Sequence, residues 1–372
     1  VAAGFTPGEA DRLRRAMAAW KRRGGLGPFE ERLIRGMRER GYEEQFARQI
    51  FQQILGFGEY GFPESHSASF ALLVYVSCWL KCHAPAAFTC ALLNSQPMGF
   101  YSASQLTQDV RRHGVEVRPA DVNRSDWDSS LERAADGKPA IRLGLRQVKG
   151  LSEEAGQKIV SQRTLERFTS IQALVERTTI NRRELDALAA AGALRSIAGH
   201  RHKVRWTVAG VEEPMPLISS MDRYEAMPML KKPTEGQDIV ADYQSLGLTL
   251  GNHPLALIRS HLDNYRYVTA ERLKDLASGQ PVRIAGLVIT KQRPGTASGV
   301  IFVTLEDETG CSNLIVWKKI SEEQREALLN ARLMGVEGEL QKEGKVIHVI
   351  AKKLIDHSDL LGELTVKQRN FR

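Results

Sequence analysis

The chain has 372 residues, of which 42% are hydrophobic and 26% charged, a composition that excludes a fibrous protein and a chain disordered throughout. Its formal charge of +8 and pI of about 9.3 indicate a polyanionic partner as the first hypothesis. Four cysteines in a chain of this length are not the disulfide framework of a secreted protein. A reducing cytoplasm is therefore the expected location.

The first part of the chain reads as helical. Apolar residues recur at three- and four-residue spacing over residues 7–55, and a glycine-rich turn follows at residues 56–63. Ser65 is a suitable N-cap for the apolar helix that comes next. Its apolar core, Phe70–Leu80, is far shorter than the roughly 20 residues of a membrane span, so we expect a buried helix and no membrane partner. Because Val1 replaces an initiating Met and no secretory signal follows, we expect an excised fragment.

Two groups of residues are candidates for metal binding. Cys78, Cys82, His83 and Cys90 have thiol and imidazole ligands, but they lack the second paired motif of structural zinc sites, which favours core cysteines. The pair formed by Asp126 and Asp128 could hold Mg²⁺ on a strand, but its sequence context favours a turn or a cap. The sequence therefore predicts neither a metal site nor a catalytic residue.

Residues 142–205 carry most of the positive charge, with 13 Lys and Arg against six Asp and Glu, a net charge of +7. Short helices alternate there with two apolar-glycine turns, at Gly150 and Gly192. Glycine lets backbone N–H groups and a helix N-terminus approach a phosphate closely. Lys149, Arg182 and Arg183 add charge beside the turns, so these five residues are the predicted DNA contacts. The alternative is that both glycines are ordinary helix C-caps.

The remaining sequence divides into three parts. Residues 206–240 contain four prolines and are poor in pattern, so residues 206–268 are predicted to form a linker or an irregular connecting segment. From Pro281 the hydrophobic period changes to about two, and three strands, one helix at residues 321–330 and two further strands follow. This order predicts an OB-fold barrel over residues 269–352, and a tail over residues 353–372.

A triphosphate site is a further possibility near the start of the chain. Ser65 and His66 begin the apolar helix, and a helix N-terminus facing the basic Arg14 and Arg15 can bind phosphate. The competing interpretation is a simple cap with a histidine at the edge of the core. The residues alone leave both interpretations open.

The sequence resembles bacterial C-family DNA polymerases, and most closely their error-prone ImuC branch, over essentially its whole length. The resemblance rests on the runs GFGEYGFPESHSASFALL (residues 56–73), PADVNRS (119–125), NRR with AAGAL (181–183 and 190–194) and GLTLGNHP (247–254). It implies a multidomain α+β chain with helical fingers at residues 1–128, a tandem helix-hairpin-helix module at residues 129–205 and a C-terminal OB-fold β-barrel.

The resemblance also implies residue roles and partners. Arg14, Arg15, Lys21, Arg22, Ser65 and His66 match positions near the incoming nucleotide. Replicative members often have Lys where this chain has Glu64, which points to the error-prone branch. In the family, the palm with its metal-binding aspartates precedes the fingers, so Mg²⁺ and nucleotidyl transfer are expected of the full-length polymerase, and this chain alone is expected to be inactive.

Two functions from different classes follow. The first is the C-terminal part of a translesion DNA polymerase that binds primer-template DNA without sequence specificity. The second is a protein-interaction platform whose OB-fold docks an ImuB-like mutasome partner, since its strands offer only Phe302 and Trp317 for base stacking. Residues 244–248 match a sliding-clamp peptide poorly and are expected to pack locally, so clamp contact is expected to be indirect.

Overall fold

The computed structural model describes residues 2–19, 27–60, 64–98, 101–211, 228–294, 299–344, 346–362, 364 and 369–371. The chain divides into two compact units, Val1–Ala84 and Pro85–Arg372. The basic turns and the predicted barrel both lie in the second unit.

The first unit is helical, as its 3.6-residue hydrophobic period predicts. A small core forms where Leu33 and Met37 of the second helix meet Ala47 and Phe51 of the third. The helices in the described part of this unit are α1 (Pro7–Ala19), α2 (Gly27–Arg38), α3 (Glu44–Tyr60) and α4 (Glu64–His83).

Helix α4 contains the apolar segment that was expected to be buried, and that expectation is wrong for this chain. Every residue from Ser67 to His83 is exposed, including Tyr75 at 69% and Leu72 at 65%. The helix begins at Glu64, so Ser65 lies in its first turn and not at the expected N-cap, and α3 continues to Tyr60 through part of the turn expected at residues 56–63. No element among the described residues covers the apolar side chains of α4. Within the described ranges, no single helix is long and apolar enough to cross a membrane; only Ser67–His83 and Pro85–Asn94 taken together reach that length and composition.

The second unit begins with two helices on a small sheet. Strand β3 is central, parallel to β1 and antiparallel to β2. Asn94 fixes a helix to the sheet because its side chain exchanges two hydrogen bonds with the backbone of Ser129, each 2.8 Å long. The elements are α5 (Pro85–Asn94), α6 (Ala103–Arg112), β1 (Val117–Arg118), β2 (Ser130–Arg133) and β3 (Pro139–Arg142).

The helices of the basic segment share one hydrophobic core with this sheet. Ile159, Leu174, Leu188 and Leu194 are fully buried in it. Asn123 connects two parts of the core, because its side chain accepts from the Phe168 N–H and donates to the Phe168 carbonyl, both at 2.8 Å. A 3₁₀ turn (Leu145–Gln147) precedes α7 (Glu153–Leu165), α8 (Ile171–Thr178), α9 (Arg182–Ala191), α10 (Arg195–Ala198) and α11 (Arg201–Ala209).

The segment expected to be a linker is more regular than predicted where the structure describes it. Two helices, α12 (Glu235–Ser245) and α13 (Pro254–Asn264), bury Ile239, Leu255 and Leu262 beside the barrel. Residues 212–227, also assigned to the linker, lie outside the described residues.

The final element is the OB-fold barrel that the alternating pattern predicts, and this prediction is confirmed. Neighbouring strands pair in the order Ile301–Glu306 (β5), Cys311–Val316 (β6), Val346–Asp356 (β8), Leu333–Glu343 (β7), Pro281–Gln292 (β4) and Arg369–Phe371 (β9), and a further pairing of β5 with β4 closes the barrel. The expected single helix is instead two, which meet at Gln324, whose side chain bonds to the Lys352 carbonyl and the Leu354 N–H of β8. The elements are β4 (Pro281–Gln292), β5 (Ile301–Glu306), β6 (Cys311–Val316), α14 (Lys318–Glu323), α15 (Arg325–Asn330), β7 (Leu333–Glu343), β8 (Val346–Asp356) and β9 (Arg369–Phe371).

Candidate nucleic-acid interface

The first basic turn is open to solvent. Gly150 has φ of +91° and is exposed, and a Cβ added there would meet only the Ala187 Cβ at 3.7 Å. A positive φ of this size is strained for any residue with a Cβ, which explains the glycine. Two residues later Ser152 caps α7, its hydroxyl accepting from the Ala155 N–H.

Two backbone N–H groups of this turn are available as hydrogen-bond donors. Within the part of the chain that the structure describes, the N–H groups of Gly150 and Ser152 donate to no acceptor. They lie at the start of a 13-residue helix, whose N-terminal end carries partial positive charge. The turn therefore offers what a phosphate oxygen requires.

The N-terminus of α9 lies beside that of α7. Asn181 and Glu184 form a capping box at the start of α9, and the Ser152 hydroxyl donates to Glu184 Oε1 over 2.6 Å. Arg182 and Arg183 occupy the first turn of α9 and are exposed. Arg182 Nε is 3.5 Å from Asp186, a surface ion pair that leaves the guanidinium accessible. The N-termini of α7 and α9 thus meet through the Ser152–Glu184 contact, and two exposed arginines occupy the first turn of α9.

Lys149 is engaged within the protein. Its Nζ donates to the carbonyls of Tyr243 at 2.7 Å and Gln244 at 2.8 Å, and its backbone N–H donates to the Ser245 carbonyl at 2.9 Å. These three carbonyls belong to the last residues of α12, so Lys149 supplies hydrogen-bond donors to the C-terminal end of that helix. The structure thus connects Lys149 to α12, whereas the sequence predicted a phosphate contact.

The second basic turn is closed. Gly192 has φ of +73°, is buried, and uses its N–H to cap α9 by donating to the carbonyls of Leu188 and Ala189. The sequence left open that Gly192 is an ordinary helix C-cap, and its geometry is that of a C-cap. Beside it, Arg195 and the nearly fully buried Arg201 pair with Asp238 of α12. The two turns, alike in sequence, are therefore different in accessibility.

Several other basic side chains of this segment hold the fold together. Arg142 is 4% exposed and binds Glu132, whose pKa falls to about 2 chiefly because of that hydrogen bond. Arg163 Nη2 lies 2.6 Å from Asp126, and Arg146 Nη1 lies 2.5 Å from Asp128. The two aspartates considered as Mg²⁺ ligands thus anchor arginines. Much of the local +7 charge is neutralised inside the protein.

The nucleotide-site candidates belong to the first unit. Arg14 and Arg15 lie in α1, and Ser65 and His66 lie in the first turn of α4. The side chains of these four residues, and the whole of Lys21 and Arg22, lie outside the described residues.

The cysteines do not form a metal site with one another. Cys78 and Cys82 are exposed, so the expectation of a core position is wrong for them. Cys90 is buried as expected and its thiol donates to the Ser129 carbonyl at 3.1 Å. In the described ranges, no three His, Cys, Asp or Glu side chains are grouped so that they could hold a metal ion.

The barrel presents few aromatic rings. Phe302 on β5 is 37% exposed and Trp317, directly after β6, is 52% exposed. Lys352 on β8 has its Nζ 2.9 Å from Glu339, so its charge is partly neutralised. Residues 244–248 pack locally as predicted, with Leu246 and Leu248 both buried.

Sequence analysis did not identify Ser152 or its contact with Glu184. A serine two residues after the turn glycine, directly before a helix, was the signal available for the cap. The contact with Glu184 spans 32 residues and carries no local signal.

Comparison with known proteins agrees with this architecture. A family model described as a helix-hairpin-helix motif matches residues 114–204, and one described as an OB-fold nucleic acid binding domain matches residues 282–356. Over its whole length the chain is similar to error-prone DNA polymerases, with 58% identity to that of Alkalilimnicola ehrlichii and 57% to that of Methylococcus capsulatus. It spans 36% and 37% of these relatives. Among solved structures, asparaginyl-tRNA synthetase from Pyrococcus horikoshii is 28% identical over 24% of this chain and 22% of that one, with a TM-score of 0.21, too low to relate the two architectures.

Proposed function

We propose that this chain is one part of an error-prone DNA polymerase of the C family, in its ImuC branch, and that it binds DNA through the phosphate backbone. Whole-length identity of 57–58% to two error-prone DNA polymerases supports the assignment. The chain spans little more than a third of these relatives. Template-directed nucleotidyl transfer, with Mg²⁺ and an incoming dNTP, is therefore proposed for the longer protein, in translesion synthesis after DNA damage.

The convergence of two helix N-termini at the first turn carries the proposal of DNA binding. The amides of Gly150 and Ser152 would bind one phosphate of a duplex, and Arg182 and Arg183 would bind neighbouring ones. Such contacts position DNA without reading its bases. Lys149 and Gly192, proposed from sequence as further contacts, would support this surface by fixing α12 and by ending α9.

The first unit would contribute to nucleotide binding in the longer protein. Arg14, Arg15, Lys21, Arg22, Ser65 and His66 are the proposed neighbours of the incoming nucleotide's phosphates. The support is their match to the family pattern and the helical backbone around four of them. Glu64 in place of the common Lys removes one cationic contact from this set.

A second candidate function concerns the barrel. Among the residues described, the exposed aromatic rings of its face at β5 and β6 are Phe302 and Trp317, and the nearby Lys352 already pairs with Glu339. This small number of exposed aromatic rings favours a protein partner over a single strand. We propose an ImuB-like mutasome partner there, with clamp contact through that partner. All four cysteines are free, which fits a cytoplasmic location.

The test is fluorescence anisotropy with labelled primer-template, duplex and single-stranded DNA across a salt series from about 50 to 200 mM. Binding to primer-template that weakens steeply with salt would support the proposal. Weak binding to all three DNAs, together with capture of a purified ImuB-like protein, would instead favour the docking function.

A further inference from the structure

The last part of strand β4 has an edge that only a short strand covers among the residues described. On one side, residues 287–292 of β4 pair with β5. On the other side, β7 pairs with β4 only as far as Leu287, and β9 then pairs in parallel with residues 290–292. Without β9, residues 289–292 would present unpaired backbone N–H and C=O groups, which are a template for another strand.

Strand β9 is a weak cover for this edge. It has three residues, whereas strands commonly have about five or six, and parallel pairing is slightly less stable per residue than antiparallel pairing. Before β9 the chain is fixed at Leu364, which is 4% exposed and whose carbonyl accepts from Arg332 Nη1 over 3.0 Å. The pairing of β9 can therefore open locally while Leu364 stays in the core.

The edge itself has the features of a strand that is at times uncovered. Lys291 points into the protein, since it is 7% exposed and its Nζ donates to the Leu329 carbonyl over 2.9 Å. Inward-pointing charges are one of the means by which natural sheets protect an exposed edge from unwanted pairing. The register with β5 also shifts between Val288 and Thr290, an irregularity that is common at sheet edges. A strand covered permanently by β9 would not need this protection.

The charge at the edge does not match the charge of the segment that covers it. Lys291 and the exposed Arg293 belong to this end of β4, and the Arg332 carbonyl accepts from the β4 backbone. Residues 363–372 contain one acidic and three basic residues: Glu363, Lys367, Arg369 and Arg372. Cations on both sides repel each other, so an acidic segment would fit this edge better than the basic one.

The edge is continuous with the barrel face proposed above for a protein partner. Gln292 of β4 lies directly opposite Phe302 of β5, so their side chains share one face of the sheet. Neighbouring strands lie about 4.8 Å apart, which places a strand added to β4 about 10 Å from Phe302. A partner held at Phe302 and Trp317 would therefore have the edge of β4 within reach.

We infer that the edge of β4 at residues 289–292 is a strand-addition site for an acidic, extended segment of a protein partner, and that β9 occupies this site until the partner binds. The inference rests on the second candidate function, because it specifies how that partner would hold the barrel. The partner's main-chain N–H and C=O groups would pair with β4 in place of β9. Its carboxylates would lie near Arg293 and Arg332.

The experiment compares three forms of the whole chain: the unaltered chain, Arg369→Pro/Asn370→Pro and Arg369→Ala/Asn370→Ala. Successive N–H groups of a strand point to opposite sides, so one of the two prolines removes a donor to β4 and prevents pairing of β9. The alanine variant loses the same side chains but keeps both N–H groups, so it is the matched control. The probe is a labelled peptide with the sequence of residues 363–372 and the substitutions Lys367→Glu, Arg369→Glu and Arg372→Glu.

We expect this acidic peptide to bind the proline variant about ten-fold tighter than the other two chains, as measured by fluorescence anisotropy. The reason is that β9 no longer competes for the edge, and ten-fold corresponds to about 1.4 kcal/mol of competing strand pairing. The peptide with the unaltered basic sequence should bind the proline variant more weakly than the acidic one. Equal affinity of the acidic peptide for all three chains, or no binding to the proline variant, would overturn the inference.

A purified ImuB-like protein separates this inference from the function on which it rests. When that partner binds the unaltered chain, hydrogen–deuterium exchange should become slower at residues 289–292 and faster at residues 369–371. Binding without faster exchange in β9 would overturn the inference and leave the docking function in place. If the ImuB-like protein binds none of the three chains, the docking function is wrong, and the acidic peptide still decides whether the edge accepts a strand.

Discussion

Lys149 and the pair Arg182 and Arg183 belong to the same basic segment, but the structure gives them different roles. Replacing Lys149 by Ala removes an ammonium that donates to two carbonyls at the end of α12. A hydrogen bond to a charged group contributes about 1.5–3 kcal/mol, but this ammonium is exposed, so we expect a loss of about 1 kcal/mol in the free energy of unfolding. Urea denaturation measures that loss. The salt dependence of DNA binding should not change.

The double variant Arg182→Ala/Arg183→Ala should show the opposite pattern. Each phosphate contact contributes about 0.9 to the slope of log K against log salt, so losing two flattens the slope by about 1.8. Among the residues that the structure describes, the ion pair lost is the surface contact with Asp186, so stability should change by no more than about 0.5 kcal/mol. Anisotropy titrations of both variants under the same salts measure the slopes. A flatter slope in Lys149→Ala, or an unchanged slope in the double variant, would refute the assignment.

Three further predictions concern other parts of the chain. Burial lowers the pKa of His253 to about 4, so the unfolded state binds more protons between about pH 6.5 and pH 4, and about 3 kcal/mol of stability should be lost on acidification through that window. The variant His253→Asn should lose less free energy of unfolding on the same acidification, as measured by urea denaturation. An identical loss would exclude His253 as the cause. Gly150→Ala should cost about 1–2 kcal/mol through its positive φ, whereas Gly210→Ala, at φ of −90°, should cost almost nothing; equal thermal-melt losses would contradict this. With Mg²⁺ or Mn²⁺ the purified chain should not extend a primer, because the resemblance places the catalytic aspartates elsewhere in the longer protein; template-directed extension would show that they lie here.

The barrel was predictable because its strands alternate regularly and the turns between them are marked by glycine and proline. Helices α7, α8 and α9 of the basic segment were predictable for a similar reason, since each follows a capping residue, Ser152, Ser170 or Asn181. Helix α4 was predictable as a helix but not in its burial. Its sequence specifies an apolar surface, whereas burial depends on what packs against that surface.

The accessibility of the two glycine turns could not be predicted. Gly150 and Gly192 occupy the same local pattern, and only contacts distant in sequence distinguish them. Helix α12 lies more than 40 residues beyond Gly192 and covers that turn through Asp238, while its C-terminal end binds Lys149. The net charge of +7 overstated the free positive charge of residues 142–205 for the same reason, because Arg142 and Arg163 are neutralised by partners outside that segment.

Hydrogen–deuterium exchange with and without primer-template DNA tests the central claim most directly, because it reports on backbone N–H groups themselves. The account predicts that saturating DNA slows exchange in peptides covering residues 148–154 and the start of α9, with little change around the buried turn at Gly192. Unchanged exchange at the first turn when DNA is bound would contradict the account, as would protection confined to the second turn.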